Sequence, residues 1–303
     1  DVAAEAFGGG GLSPRGALGG PVTMRAAELV QMLGNDTIAD ETDIYEYTGG
    51  GERNSRGITI DQISKRGGRL ARKGNIRNIC NVGNKFFNSS ENNKRKLSPK
   101  KWNNKNKNIY RGYFPNDVNG KEGLDIGDLK VTKKYATTKK KQYIEYINLD
   151  KSFDKKSIKI LSKYFDEIFT LGETLFKSII KLYDKDINNS KLAFSRIKTL
   201  STLRFNYYPN QSKPVEISKQ DGVALGCETH VDSGIFTILY QDKKGGLQVQ
   251  NRKNKKWYNV PFNKHALVVN TGRALEYLSK GKFKATNHRV LWNKTKRMSI
   301  PFF

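Results

Sequence analysis

The amino-acid sequence of 303 residues predicts a mainly β fold, a sandwich or jelly roll, supported by one long helix. Apolar residues recur at spacings of three and four over residues 156–183, which is typical of an amphipathic helix packed against a core. After residue 199 the pattern changes to short segments separated by turn signals, notably at residues 242–246 and 251–254. Eight short strands in this stretch favour a sandwich or jelly roll.

The chain before the strands divides into a leader and a helical portion. Residues 1–64 contain no lysine and carry two glycine clusters, so we predict a poorly ordered or only partly structured leader over residues 1–79. Residues 80–198 are predicted to be a helical and loop portion, and residues 199–303 a β-rich core. Within the helical portion we predict a polar, loop-rich stretch over 90–141, the long helix, and a shorter helix over 189–198.

Asp154 or Ser157 is predicted to cap the start of the long helix. In the β-rich core a single helical turn is predicted over residues 271–278, between the sixth and seventh strands. No internal repeat is evident. The eight predicted strands span residues 200–208, 223–230, 235–241, 247–251, 256–260, 266–270, 282–291 and 297–303.

The composition excludes several classes of protein. The formal net charge of +26 suggests a nucleic-acid binder, but the basic residues are spread over residues 51–303 and are not gathered in one arm. Two cysteines exclude a disulfide scaffold and favour a reducing compartment. No apolar run approaches the roughly 18 residues of a membrane span, and no secretory signal is visible. We predict a cytoplasmic monomer that binds neither membrane nor nucleic acid.

The three histidines, His230, His265 and His288, are the most informative polar residues. His230 and Asp232 are two positions apart, so in an extended segment the imidazole and the carboxylate point to the same side. His288, on a later predicted strand, would complete a set of two histidines and one carboxylate. This set suits Fe(II) with open coordination positions, and zinc would also accept these ligands. His265 is predicted to be a turn or surface residue.

A second pair, Arg297 and Ser299, is again two positions apart on a predicted strand. An arginine fork can hold a carboxylate through two hydrogen bonds, and a serine hydroxyl on the same side can add a third. A metal site beside such a clamp is what a metal-chelating dicarboxylic acid would need.

These residues and their order resemble the iron(II)/2-oxoglutarate-dependent dioxygenases, in the isopenicillin N synthase-like, plant-type branch. The resemblance covers residues 80–303. The matching segments are Lys85-Phe86-Phe87, Tyr110-Arg111-Gly112-Tyr113-Phe114-Pro115, Lys121-Glu122-Gly123-Leu124-Asp125, Asn206-Tyr207-Tyr208-Pro209, His230-Val231-Asp232-Ser233, Gly245-Gly246-Leu247-Gln248-Val249, Trp257, Asn287-His288-Arg289-Val290 and Arg297-Met298-Ser299.

The resemblance implies a double-stranded β-helix with Fe(II) held by His230, Asp232 and His288. It also implies 2-oxoglutarate as cosubstrate, with its far carboxylate at Arg297 and Ser299, and with Tyr208 and Asn206 in the same binding site. The implied reaction uses O2 to hydroxylate or desaturate a small organic molecule and releases succinate and CO2, with ascorbate as an accessory reductant.

The sequence departs from the family pattern in three places, and the first is that the N-terminal strands usual in the family are hard to find before Ile79. The chain stops at Phe303, where the family continues with residues that cover the site, so a weakened substrate affinity is expected. Arg273 stands where the family often has an acidic residue, which affects the expected local packing.

Other residues near these motifs are expected to be structural. Cys227 is three positions before His230, so we predict a buried thiol on the opposite face of the strand. Trp257 is predicted to lie in the core and Glu228 on a solvated strand.

Three alternative functions stay open at this point. The same fold could be an oxidase that uses no 2-oxoglutarate, because the arginine–serine pair can bind another carboxylate. A basic nucleic-acid binder and an inactive, truncated homologue are the other two. The demethylating branch of the dioxygenases is disfavoured because it carries a second arginine where this chain has Phe303.

Overall fold

The computed structural model describes residues 73–116, 120–130, 146–183, 200–210, 213–252, 254–263, 266–281 and 283–303. The predictions for residues 1–72, for the helix over 189–198 and for His265 therefore lie outside the described residues. No helix in the described ranges is long and apolar enough to cross a membrane.

Four α-helices are described: α1 (Lys73–Phe87), α2 (Glu91–Arg95), α3 (Lys155–Tyr183) and α4 (Arg273–Leu278), with a short 3-10 helix over Leu149–Lys151. Helix α3 confirms the predicted long helix. Its start is capped by Asp154, whose Oδ1 accepts a hydrogen bond of 2.7 Å from the backbone N–H of Ser157.

Helix α1 runs across the boundary predicted at residue 79. Ile76 and Ile79 are buried in the same core as Phe86 and Phe87, so this part of the predicted leader packs with the β-rich portion. The apolar face of α1 makes these contacts. Glycine and basic residues between the apolar positions weaken the helical pattern in the sequence, so the helix was not predicted there.

In the described ranges, eleven strands form two antiparallel sheets. The six-stranded sheet has the order β1-β2-β3-β11-β6-β9, and the five-stranded sheet has the order β4-β5-β10-β7-β8. The strands are β1 (Gly112–Phe114), β2 (Glu122–Ile126), β3 (Leu203–Tyr208), β4 (Glu216–Ile217), β5 (Ala224–His230), β6 (Phe236–Gln241), β7 (Leu247–Gln250), β8 (Trp257–Asn259), β9 (Val268–Thr271), β10 (His288–Leu291) and β11 (Arg297–Phe302). The predicted mainly β fold of packed sheets with a long helix is confirmed.

Strands β1 and β2 lie in the stretch that the sequence predicted to be loop-rich. Their polar residues are buried with partners: Glu122 accepts a bond of 2.6 Å from Lys94, and Asp125 pairs with Arg204. Inward carboxylates of this kind break the apolar–polar alternation by which a half-buried strand is recognised.

The six-stranded sheet presents alternate residues to the helices and to the space between the sheets. On β3, the ring of Tyr207 stacks on Phe87 of α1 at a centroid distance of 4.7 Å. Asn206 and Tyr208 face the other way and line a cavity. On β11, Arg297 lies opposite Tyr208 and Ser299 opposite Asn206, so these four side chains share one face.

Candidate functional site

His230, Asp232 and His288 come together in the wall of a cavity of about 870 Å³ between the two sheets. His230 ends β5, Asp232 follows in the next loop, and His288 begins β10 directly opposite His230 in the strand register. The Nε2 atom of each histidine lies 3.8 Å from an oxygen of Asp232. Each of the three residues offers one ligand atom, a ring nitrogen or a carboxylate oxygen, and these three atoms lie within 4.8 Å of one another.

Hydrogen bonds orient both imidazoles. The Nδ1 atom of His230 lies 2.8 Å from the carbonyl oxygen of Glu228, and Nδ1 of His288 lies 3.1 Å from the carbonyl oxygen of Thr286. A carbonyl only accepts, so Nδ1 of His230 carries the proton, and the lone pair of its Nε2 is directed to the space shared with Asp232. Nδ1 of His288 also lies 3.1 Å from Nδ2 of Asn270, a donor, so its two neighbours compete for this nitrogen.

The carboxylate of Asp232 is also held. Its Oδ2 accepts hydrogen bonds from Thr237 Oγ1 at 2.6 Å and from Asn270 Nδ2 at 3.1 Å. The backbone carbonyl of Asp232 accepts a bond of 2.9 Å from the N–H of Arg273 at the start of α4. This approach requires Gly272, because a Cβ there would lie 2.2 Å from the carbonyl oxygen of Gly234.

Burial lowers the pKa of His288, and the positive charge of a protonated His230 lowers it further, while Asp232 acts in the opposite direction. The neutral imidazole is therefore the dominant form near neutral pH, and it is the form that binds a metal.

Arg297 and Ser299 line the same cavity as the three candidate ligands. Arg297 is only 2% exposed, its Nε donates to the carbonyl of Gly245 at 2.7 Å, and its Nη1 lies 3.4 Å from Ser299 Oγ. The guanidinium carbon stands 4.8 Å from the centre of the Tyr208 ring. Among the described residues no carboxylate lies within ion-pair distance of this guanidinium, so the pair can receive an anion from outside the chain.

Sequence reasoning missed several residues of the site. Thr237 and Asn270 hold Asp232, and Lys121 and Arg204 line the cavity from β2 and β3 or their ends. Arg204 lies two residues before Asn206 on one predicted strand, and this spacing could have placed both side chains on the cavity side. For Lys121 and Asn270 only the pairing of distant strands brings the side chain to the site.

The prediction for Cys227 was wrong about the face of the strand. Cys227 lines the same cavity as His230, and its Sγ lies 3.4 Å from Lys121 Nζ. The register of β5 against β10 shifts between His230 and Cys227 and again between Cys227 and Leu225. Each shift adds a residue to β5, which breaks the alternation on which the prediction depended.

Three other expectations can be compared with the structure. Trp257, predicted in the core, lies half-buried on β8 with the guanidinium carbon of Arg289 4.1 Å from its ring centre. That arginine also pairs with Asp221, so the contact belongs to a polar cluster on the five-stranded sheet. Glu228 is exposed, as expected, and so is Arg273 at the start of α4.

Comparison with known proteins places these residues in context. Residues 199–303 match the family model described as the 2OG-Fe(II) oxygenase superfamily. The chain is 27% identical over 235 residues to feruloyl CoA ortho-hydroxylase 2 of Arabidopsis thaliana, a match that covers 75% of this chain and 58% of the relative. It is 30% identical over 142 residues to isopenicillin N synthase of Streptomyces griseus, covering 46% and 43%.

A bi-functional coumaroyl CoA and feruloyl CoA ortho-hydroxylase of Ipomoea batatas is 39% identical over 102 residues, which is 33% of this chain and 26% of the relative. The matches therefore span less than two thirds of these curated relatives.

Solved structures share the fold. The dioxygenase for auxin oxidation 1 of Arabidopsis thaliana, solved as a complex with 2-oxoglutarate, superimposes with a TM-score of 0.54 at 21% identity, covering 77% of this chain and 77% of that one. The dioxygenase for auxin oxidation of rice gives a TM-score of 0.55 at 19% identity, covering 76% and 69%.

Proposed function

We propose that this chain, whose residues 199–303 match the model of the 2OG-Fe(II) oxygenase superfamily, is an Fe(II)- and 2-oxoglutarate-dependent dioxygenase acting on a small organic molecule. The reaction would consume O2 and 2-oxoglutarate and release succinate and CO2. One observation carries the proposal: a cluster of two histidines and a carboxylate shares a cavity with a buried arginine–serine pair that has no carboxylate partner among the described residues.

The donor set fits iron. His230, Asp232 and His288 offer two imidazole nitrogens and one carboxylate oxygen, a set typical of non-haem Fe(II) sites with open positions. When bound, Fe(II) supplies the redox chemistry that couples oxidative decarboxylation of the keto acid to oxidation of a C–H bond. The chain contributes ligand geometry through the carbonyls of Glu228 and Thr286, which fix both imidazole orientations.

The arginine–serine pair accounts for cosubstrate binding. The bond from Arg297 Nε to Gly245 fixes the guanidinium, so its remaining N–H groups and the Ser299 hydroxyl are pre-oriented for the far carboxylate of 2-oxoglutarate. Tyr208 and Asn206 line the cavity beside this pair and complete the proposed binding site.

The cavity also offers a largely apolar surface around the reacting groups. Apolar side chains form much of its wall, including Phe236, Val249 and Phe302. A wall of this kind strengthens the electrostatic contacts to the bound dicarboxylate and protects reactive species from side reactions.

The test is succinate formation by the purified protein supplied with Fe(II), ascorbate and 2-oxoglutarate, with and without candidate substrates. Asp232→Ala should lose both Fe(II) binding and succinate formation. Glu228→Ala, which removes an exposed carboxylate two residues from His230, should retain both. Equal Fe(II) affinity in wild type and Asp232→Ala would contradict the ligand assignment, and iron binding without any succinate would indicate an inactive homologue.

A second candidate is an oxidase of the same fold that does not use 2-oxoglutarate. The match to isopenicillin N synthase of Streptomyces griseus favours it, since the arginine–serine pair could then bind a substrate carboxylate. Anaerobic addition of 2-oxoglutarate to the Fe(II) protein separates the two, because only the dioxygenase should give a visible metal-to-ligand charge-transfer band.

A further inference from the structure

Lys121 and Arg204 both line the cavity, but they differ in how their charges are paired. Arg204 donates from Nε and Nη2 to the two oxygens of Asp125, each at 2.6 Å. This bidentate pair neutralises Arg204 within the chain.

Lys121 has no comparable partner. Its Nζ lies 3.4 Å from the Cys227 sulfur and 5.7 Å from the centre of the Tyr208 ring. In the part of the chain that the structure describes, no carboxylate oxygen lies within ion-pair distance of this ammonium. A thiol is a weak acceptor, so most of the hydrogen-bonding capacity of the three N–H donors is left for other groups.

The ammonium nevertheless stays charged in its half-buried position. Burial lowers the pKa of Lys121, but the neighbouring Tyr208 and Cys227 outweigh it and the net shift is upward. A partly desolvated positive charge without a carboxylate is costly, and an anion bound beside it would offset that cost.

The two carboxylates of 2-oxoglutarate already have partners under the proposed function. The far carboxylate meets Arg297 and Ser299, and the one beside the keto group chelates the metal. Arg111, which also lines the cavity, donates from Nη2 to the carbonyl oxygen of Ser201 at 3.1 Å and lies 3.4 Å from Thr202 Oγ1. Lys121 is therefore a cation of the cavity that neither the carboxylates of the described residues nor the cosubstrate pairs. Lys121 and the three candidate metal ligands line the same cavity.

We propose that Lys121 binds an anionic group of the primary substrate, so that the enzyme acts on small organic acids. This inference rests on the proposed function, because it assigns the Arg297–Ser299 pair to the cosubstrate. Lys121 is a specificity residue in this scheme: it holds the substrate by its charge, beside the site where oxidation takes place.

The experiment measures acid-over-amide preference in the anaerobic Fe(II) protein saturated with 2-oxoglutarate. The probes are three matched pairs: benzoate and benzamide, phenylacetate and phenylacetamide, and 3-phenylpropionate and its amide. Each acid and its amide have the same shape and differ in charge. Dissociation constants come from ligand-observed NMR, and the dissociation constant of 2-oxoglutarate comes from the charge-transfer band.

Wild type should bind at least one acid about tenfold more tightly than its amide, the value of one charge-assisted hydrogen bond. Lys121→Met should abolish this preference, because it removes the charge but keeps a side chain of similar length. Lys121→Arg should retain part of it. The control Lys159→Met, which changes an exposed lysine of α3, should behave as wild type.

Two results would overturn the inference: wild type shows no acid preference in any pair, or Lys121→Met keeps the wild-type preference. If Lys121→Met keeps the preference and also weakens 2-oxoglutarate binding about tenfold, Lys121 belongs to the cosubstrate site. Failure of the proposed function looks different: wild type itself would give no charge-transfer band, while a Lys121-dependent acid preference could still be measured.

Discussion

Thr237 offers a clean test of how the chain holds its proposed metal ligand. Its Oγ1 donates to Asp232 Oδ2 at 2.6 Å, and the residue is buried, with 4% of its surface exposed. Thr237→Val replaces the hydroxyl by a methyl group of nearly the same volume. The substitution therefore removes one hydrogen bond to the carboxylate and leaves the packing of β6 almost unchanged.

The expected magnitude follows from the partners of Asp232. A hydrogen bond to a charged group contributes about 1.5–3 kcal/mol. At about 1.4 kcal/mol per factor of ten, its loss corresponds to about 10- to 100-fold, the range typical of residues that support metal ligands. We expect the lower end, about tenfold, because Asn270 Nδ2 still donates to the same oxygen at 3.1 Å.

The assay is an anaerobic Fe(II) titration of the protein, with affinity measured by competition against a chromophoric chelator. Thr237→Val should raise the dissociation constant about tenfold, and the double variant Thr237→Val/Asn270→Ala should raise it further than either single change. Thr170→Val is the control, because Thr170 is exposed on α3 and its hydroxyl bonds only a backbone carbonyl of the same helix. An affinity within about twofold of wild type in a folded Thr237→Val protein would refute the proposed orienting role.

Three further predictions follow from other parts of the structure. Arg297→Leu should raise the dissociation constant of 2-oxoglutarate at least about tenfold while Fe(II) affinity stays near that of wild type, as measured by the charge-transfer titration; equal cosubstrate affinity would contradict the clamp. Lys94→Met should lower the free energy of unfolding, measured by urea denaturation, by about 3 kcal/mol, because the buried carboxylate of Glu122 loses the ammonium that lies 2.6 Å away. A change below about 1 kcal/mol would argue against this ion pair as a stabilising element. Burial raises the pKa of Cys80 from 9.0 to about 11. The stability that the buried neutral thiol contributes is therefore full below about pH 9 and is lost as the pH rises toward 11, because the unfolded chain releases the proton first. Cys80→Ala should flatten this part of the pH–stability curve, and an unchanged curve would contradict the shift.

A monomeric state and a cytoplasmic location stay predictions from the sequence. Sedimentation of the purified protein and localisation of a tagged full-length chain would test them.

The polar contacts at Arg289, which pairs with Asp221 and stacks on Trp257, lie on the five-stranded sheet and show that part of the basic charge has a structural role.

The sequence by itself determined the elements whose signals are local. The apolar spacing predicted α3 to within a residue at its start, and the turn residues separated most strands of the C-terminal sheets near their observed bounds. The prediction missed β4 and began the strand that contains β10 six residues too early. The spacing of two residues between Arg297 and Ser299 correctly predicted side chains on one side, because both lie on β11 with no register shift between them. The spacing between His230 and Asp232 also predicted convergence, although Asp232 lies in the loop after β5 and not on the strand.

Only the tertiary structure decided which distant residues complete the cavity. The extra residues in β5 turned Cys227 toward the cavity, and strand β2 was hidden in the sequence because its buried carboxylates have partners far along the chain. Lys121 comes to the site through the pairing of β2 with β3, and Asn270 reaches Asp232 through the pairing of β9 with β6. Side-chain alternation is written into each strand, whereas bulges and strand pairing depend on contacts between residues far apart in sequence, and these fix the environment of the ligands.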